Sequence, residues 1–134
     1  MDLFEKLRDM KILLIDDDEW IRDSLYLFFE SEGCDLLALE TAEEGIGALQ
    51  DQAYDIIIAD YKLPGLNGLE FLRQAHKTHS DAIKILITAY GNRKLIAEAQ
   101  RDGIHDFIQK PFTSETILTS LGRLIETGPK KSTC

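Results

Sequence analysis

Two adjacent aspartates, a lone aspartate and a lysine stand where short apolar runs stop. Ile12-Leu13-Leu14-Ile15 runs into Asp16, Asp17 and Asp18; Ile56-Ile57-Ile58-Ala59 runs into Asp60; Phe107-Ile108 leads through Gln109 to Lys110 and Pro111. Thr88 closes a further run that starts at Lys84. Carboxylates brought close together repel when ionised, and a hard divalent cation relieves the repulsion. Magnesium suits few carboxylates plus waters and often serves phosphate chemistry. A coordinated, unprotonated carboxylate can attack phosphorus and give an aspartyl phosphate. Catalysis is then mainly positioning and charge neutralisation. Lys110 can supply a point positive charge and the Thr88 hydroxyl a hydrogen bond. A cis Lys110–Pro111 bond would aim the lysine inward.

These residues need elements that bring them to one place. Apolar runs this short, bounded by polar residues, read as strands of a parallel sheet covered on both faces. Ligands of such sheets bind at the carboxyl ends of the strands. Strand-like and helix-like segments alternate five times along the chain, the pattern of a βα repeat. The first helix follows Asp18 and carries Ile21, Leu25, Phe28 and Phe29 at helical spacing, with Gly33 beyond its end. Leu36-Leu37-Ala38-Leu39 is the second strand; Thr41 and Glu44 then form a capping box ahead of Ile46 and Leu49. A turn-rich loop, Pro64-Gly65-Leu66-Asn67-Gly68, precedes a helix through Leu69, Leu72 and Ala75. The next helix carries Leu95, Ile96 and Ala99 and ends at Gly103, before a short strand at Asp106-Phe107-Ile108. Thr113 or Ser114 caps a last helix with the inward stripe Ile117, Leu121, Leu124 and Ile125. The expected organisation is a lead-in over 1–10 with a short amphipathic turn (Leu3, Phe4, Leu7), one domain over 11–126, and a flexible polar tail over 127–134.

A chain of 134 residues with 44% hydrophobic content can bury one substantial core. Its net charge of −9 argues against a nucleic-acid surface and against binding to anionic membranes. No apolar run approaches a membrane span and no secretory core opens the chain, so a cytoplasmic location is expected. Cys34 and Cys134 read as a buried thiol and a terminal one rather than a disulfide.

Taken singly, each site residue has an ordinary explanation. Asp16, Asp17 and Asp18 could be an acidic helix start favoured by the dipole. Asp60 could cap the loop after it, Thr88 could be a plain strand-end hydroxyl, Lys110 a surface lysine and Phe107 core. His76, His79 and His105 read as solvated surface. It is the joint arrangement, each piece at a strand end, that argues for a pocket.

The chain also resembles the receiver domain of two-component response regulators over about residues 11–126. The matching pieces are Ile15-Asp16-Asp17-Asp18, Ala59-Asp60, Leu63 through Gly68, Ile87-Thr88-Ala89, and Phe107 ahead of Lys110-Pro111-Phe112. The resemblance implies a three-layer, doubly wound (βα)5 fold whose five-stranded parallel sheet has the flavodoxin-like order 2-1-3-4-5. It implies that Asp60 accepts a phosphoryl group from a histidine kinase or phosphotransfer protein. Magnesium, or manganese in its place, would be held by the Asp17 and Asp60 side chains, by Asp16 mainly through water, and by the Lys62 backbone carbonyl. Thr88 and Lys110 would grip the phosphoryl oxygens. Phe107 takes the position of an aromatic switch that turns inward when Thr88 moves. The fourth helix, fifth strand and fifth helix of the repeat would carry the change to a partner or output domain, with a phosphorylation-dependent homodimer as one outcome.

Phe107 stands where tyrosine is equally common, and Ile104 where a small residue is usual. Lys62 and Tyr90, each two residues beyond a site residue, would overhang the site and slow the hydrolytic water. The rival function is an aspartate-nucleophile phosphohydrolase. Such enzymes carry a second aspartate two residues after the nucleophile as acid and base; here that residue is Lys62. A receiver assists its own phosphotransfer and dephosphorylation without being a conventional enzyme. The residues leave open whether this is a stand-alone receiver or part of a longer regulator, and which kinase, signal and output it serves.

Overall fold

A computed structural model of the chain describes residues 2–89 and 93–127. Its elements run α1 (Leu3–Leu7), β1 (Lys11–Ile15), α2 (Glu19–Ser31), β2 (Asp35–Leu39), α3 (Ala42–Asp51) and β3 (Ile56–Asp60). They continue with α4 (Gly68–Thr78), β4 (Ile83–Thr88), α5 (Arg93–Arg101), β5 (Asp106–Gln109) and α6 (Ser114–Thr127). All strand pairs are parallel, in the order β2-β1-β3-β4-β5, as expected.

The strands sort their side chains by simple alternation. Ile12, Leu14, Ile56, Ile58, Ile83, Ile85 and Ile87 face one layer, packed with Leu25 and Phe29 of α2 and Ile117, Leu121 and Leu124 of α6. Leu13, Ile15, Ile57, Ala59 and Leu86 face the other, with Ala42, Leu69, Phe71, Leu72, Ala75, Leu95 and Ala99 from α3, α4 and α5. Every residue of β3 and β4 is buried, because helices cover both faces of the central strands. That sandwiching is what makes the runs continuous rather than alternating in hydrophobicity.

Helix ends follow the local signals. The Gly33 and Cys34 amides donate to the Glu30 and Phe29 carbonyls, both at 2.9 Å, closing α2 in a Schellman pattern. Thr41 Oγ1 accepts from the Glu44 amide at 3.1 Å while the Glu44 carboxylate accepts from the Thr41 amide at 3.1 Å. Thr113, not Ser114, precedes α6 and accepts from the Thr116 amide at 3.4 Å.

The structure goes beyond or departs from the sequence reading at four places. The lead-in forms α1, capped reciprocally by Asp2 and Glu5, and it inserts Leu7 fully into the core while Phe4 meets Phe28 at a ring separation of 6.2 Å. Lys84 is wholly buried, its Nζ donating to the Ala82 carbonyl at 2.9 Å and the Ser80 carbonyl at 3.3 Å. His105, expected at the surface, is half-buried where β5 enters beside β4. Its Nδ1 accepts from the Lys84 amide at 3.0 Å and its own amide donates to the Lys84 carbonyl at 2.8 Å. His76 is likewise half-buried, with Nδ1 out of solvent and without a hydrogen-bond partner. Cys34 is a buried free thiol, as expected; Cys134 and the rest of 128–134 lie outside the described residues.

Candidate functional site

Parallel neighbours with aligned registers bring the carboxyl ends of β1, β3, β4 and β5 to one edge of the sheet. Ile15 stands beside Ala59, Asp60 beside Ile87, and Thr88 beside Gln109. One step beyond Ile15, the Asp16 amide still donates to the Leu39 carbonyl at 3.0 Å, so Asp16 stays inside while Asp17 turns out. The three neighbouring aspartates then divide. Asp18 is the N-cap of α2, accepting from the Trp20 and Ile21 amides at 2.9 and 3.4 Å. The acidic-helix-start explanation therefore describes Asp18 and leaves Asp16 and Asp17 to the pocket. Asp16 Oδ1 accepts from the Asp18 amide at 2.9 Å, and Arg22 of α2 donates to the Asp16 carbonyl at 2.9 Å.

Carboxylate oxygens of Asp16, Asp17 and Asp60 all lie within 4.8 Å of one another. Lys110 enters from the β5 end, just ahead of a cis bond to Pro111, and its Nζ stands 3.0 Å from Asp60 Oδ2 and 3.4 Å from Asp16 Oδ2. The Lys110 amide donates to the Thr88 carbonyl at 3.0 Å, which ties the lysine to the end of β4. Thr88 itself is buried. Gly68, the first residue of α4, donates to the Tyr61 carbonyl at 2.9 Å. A Cβ there would overlap the Asp60 carbonyl oxygen, so only glycine lets α4 begin this close to the strand end.

Burial dominates the electrostatics. Asp16 is wholly buried, which pushes its carboxyl up to about 6; the Asp18 amide and Lys110 oppose that, and the nearby Asp60 charge adds to it. Burial also raises Asp60, against the hydrogen bond and charge of Lys110, with Asp17 pushing further upward. For Lys110, burial alone would lower the pKa, but Asp60 and Asp16 more than offset it and hold the amine above its ordinary value. One lysine thus faces three carboxylates, and Asp16 Oδ2 is buried without a hydrogen-bond partner. Buried polar atoms are almost always satisfied. An all-oxygen donor set, with a buried carboxylate oxygen that has an ion pair at 3.4 Å but no hydrogen bond, fits a hard divalent cation such as magnesium.

Of the residues singled out from sequence, Asp16, Asp17, Asp60 and Lys110 meet directly, and Thr88 lies at the adjoining strand end. Lys62 is exposed in the loop after β3. Phe107 stands apart, half-buried against the α3–α5 side of the core. Tyr90 lies outside the described residues. Arg22 was missed: a helical arginine four residues past an acidic cap carries no local sign that it will reach back to a loop carbonyl.

Among the described residues no helix is long and apolar enough to cross a membrane. The C4-dicarboxylate transport transcriptional regulatory protein DctD of Pseudomonas aeruginosa is 35% identical over 116 residues, covering 87% of this chain. This chain spans only 25% of that relative's length. A CheY-like response regulator receiver domain protein from Methanospirillum hungatei superimposes with a TM-score of 0.79 at 30% identity, covering 89% of this chain and 98% of that one. The signal receiver domain of an HD domain-containing protein from Pseudomonas fluorescens does so at 0.81 and 27% identity, covering 88% and 95%. Residues 12–122 match the response regulator receiver domain, and with this fold and this acidic strand-end cluster the chain belongs to that family, the phosphorylation-dependent switch of two-component signalling.

Proposed function

We propose that Asp60 is the residue that accepts the phosphoryl group, in a reaction that depends on magnesium. The observation that carries this is the convergence of three carboxylates within 4.8 Å, with a buried Asp16 oxygen whose partner is the Lys110 ion pair at 3.4 Å, and Lys110 Nζ 3.0 Å from Asp60. Asp17, Asp60 and the Lys62 carbonyl would hold the cation, with Asp16 acting through water; manganese would serve in magnesium's place. When bound there, the cation would supply charge neutralisation for carboxylates and phosphoryl oxygens. An Asp60 oxygen forms the new bond to phosphorus as the bond to the donor's leaving group breaks. Lys110 remains on the phosphoryl oxygens, and Thr88 at the end of β4 donates to another.

The donor is a histidine kinase or phosphotransfer protein, and the acceptor later hydrolyses its own acyl phosphate. The α5–β5–α6 side, where Phe107 sits, passes the change to an output partner or domain or to a second copy of the chain, in the cytoplasm. Lys62, two residues after Asp60, offers no carboxylate for acid–base hydrolysis, which disfavours the phosphohydrolase reading.

The test is intact mass after incubation with a small-molecule phosphodonor and magnesium. One phosphoryl adduct is expected on the native chain and none on Asp60→Asn or without the metal. An adduct that persists in Asp60→Asn, or none on the native chain, would sink the assignment.

A further inference from the structure

Asp60 is fixed by a strand buried on both faces, but the Lys62 carbonyl belongs to the loop that leads from β3 to α4. That loop is closed at its base by the Gly68 amide on the Tyr61 carbonyl, 2.9 Å, and on its inner side by the buried Leu63. Its outer tip, at Pro64, Gly65 and Leu66, projects toward α3. There the Glu43 carboxylate, from the first turn of α3, accepts a hydrogen bond from the Leu66 amide at 3.1 Å. Gly65 makes room for it. Its φ of +76° is strained for any other residue, and a Cβ would stand 2.8 Å from the same Glu43 oxygen. The turn, the glycine and the carboxylate therefore fit one another across two elements that are far apart in sequence.

We infer that Glu43 is a positioning residue for the cation site: by holding the Leu66 amide it fixes the loop that carries the Lys62 carbonyl. This rests on the proposed reading of the Asp16–Asp17–Asp60 cluster, together with the Lys62 carbonyl, as a cation site, and it assigns Glu43 no contact with the ion. The side chain suits the task because the first turn of α3 places an acceptor oxygen within reach of the Leu66 amide. A single hydrogen bond of this kind has a modest effect, and it acts on affinity rather than on folding because both partners are at the surface.

The test is Mn2+ binding to the full chain, read as loss of the free-ion paramagnetic resonance signal, in native protein, Glu43→Ala, Glu43→Gln and Asp60→Asn. Glu43→Ala should bind roughly three- to ten-fold more weakly, the range one hydrogen bond supports. Its melting temperature without metal should stay at the native value. Glu43→Gln keeps an acceptor oxygen at the same reach and should bind as the native chain does. Native affinity in Glu43→Ala would overturn the inference. So would an equal loss in Glu43→Gln, since that would trace the effect to charge rather than to the tether. If the native chain and Asp60→Asn bind Mn2+ alike, the cation-site reading itself fails, and the role of Glu43 with it.

Discussion

β4 buries polar groups at both of its ends, and the two ends treat them differently. At its start, Lys84 is completely out of solvent, yet its amine finds two backbone carbonyls and its amide finds His105 Nδ1. At its far end, beyond Thr88, three carboxylates converge, Lys110 pairs with Asp16 and Asp60, and a buried Asp16 oxygen has no hydrogen bond. The first end uses its polar groups to close a loop and to admit β5 into the sheet. The second gathers like charges that the protein alone does not compensate. Among the described residues His76 Nδ1 is also buried without a hydrogen-bond partner, and a ring nitrogen is far cheaper to desolvate than a carboxylate. Satisfied burial marks architecture here, and unsatisfied burial marks the place where a ligand belongs.

The strongest way to break this contrast is to remove the lysine that partly compensates the acidic end. Lys110→Ala leaves two buried carboxylates facing each other and should cost about 2–4 kcal/mol in metal-free protein. Chemical denaturation with and without magnesium measures it, and the cation should return much of the loss. A negligible cost would mean that the carboxylates are already well solvated.

Asp16→Asn tests the same end with the opposite sign. Removing a buried charge from among like charges should stabilise the metal-free fold by about 1–3 kcal/mol while weakening magnesium binding. If the variant were less stable than the native chain without metal, Asp16 would be structural, like Lys84.

The last test belongs to the start of β4. Burial lowers the Lys84 pKa to about 8, with the Asp81 charge opposing. Its unfolded value is near 10.5, so between these two the unfolded chain binds more protons than the folded one. The Lys84 contribution to stability therefore rises with pH across that window and is absent below it. The difference between native protein and Lys84→Met should change by about 2–3 kcal/mol from pH 8 to pH 10.5. A flat difference would show that the amine stays charged in the fold, held by its carbonyl partners.

Much of this molecule is legible in its sequence. β1, β3 and β4 were legible because strands buried on both faces are continuously apolar, and the site residues because each interrupts such a run. Thr41 with Glu44 and Gly33 were legible because capping is local. Lys84 was not: a lysine at the head of an apolar run reads as the exposed start of the strand, and only the loop carbonyls around it make burial tolerable. His105 was misread for the same reason, since its partner is the backbone of another strand. Arg22 and Glu43 were invisible because each answers a backbone group on a loop that the sequence does not place.

What the sequence alone determined is the set of elements and the chemical type of each strand end. Periodicity and caps are short-range, and an aspartate or lysine after an apolar run declares itself without help. What tertiary structure decided is which of those groups share a volume and which are compensated there. Asp16, Asp17 and Asp18 are equivalent as letters. Only the register of β1 against β3, and the start of α2, make one a buried charge, one an exposed neighbour of the site and one a cap. The reason is physical: repulsion, desolvation and pairing depend on distance and burial, and neither exists until the sheet has closed.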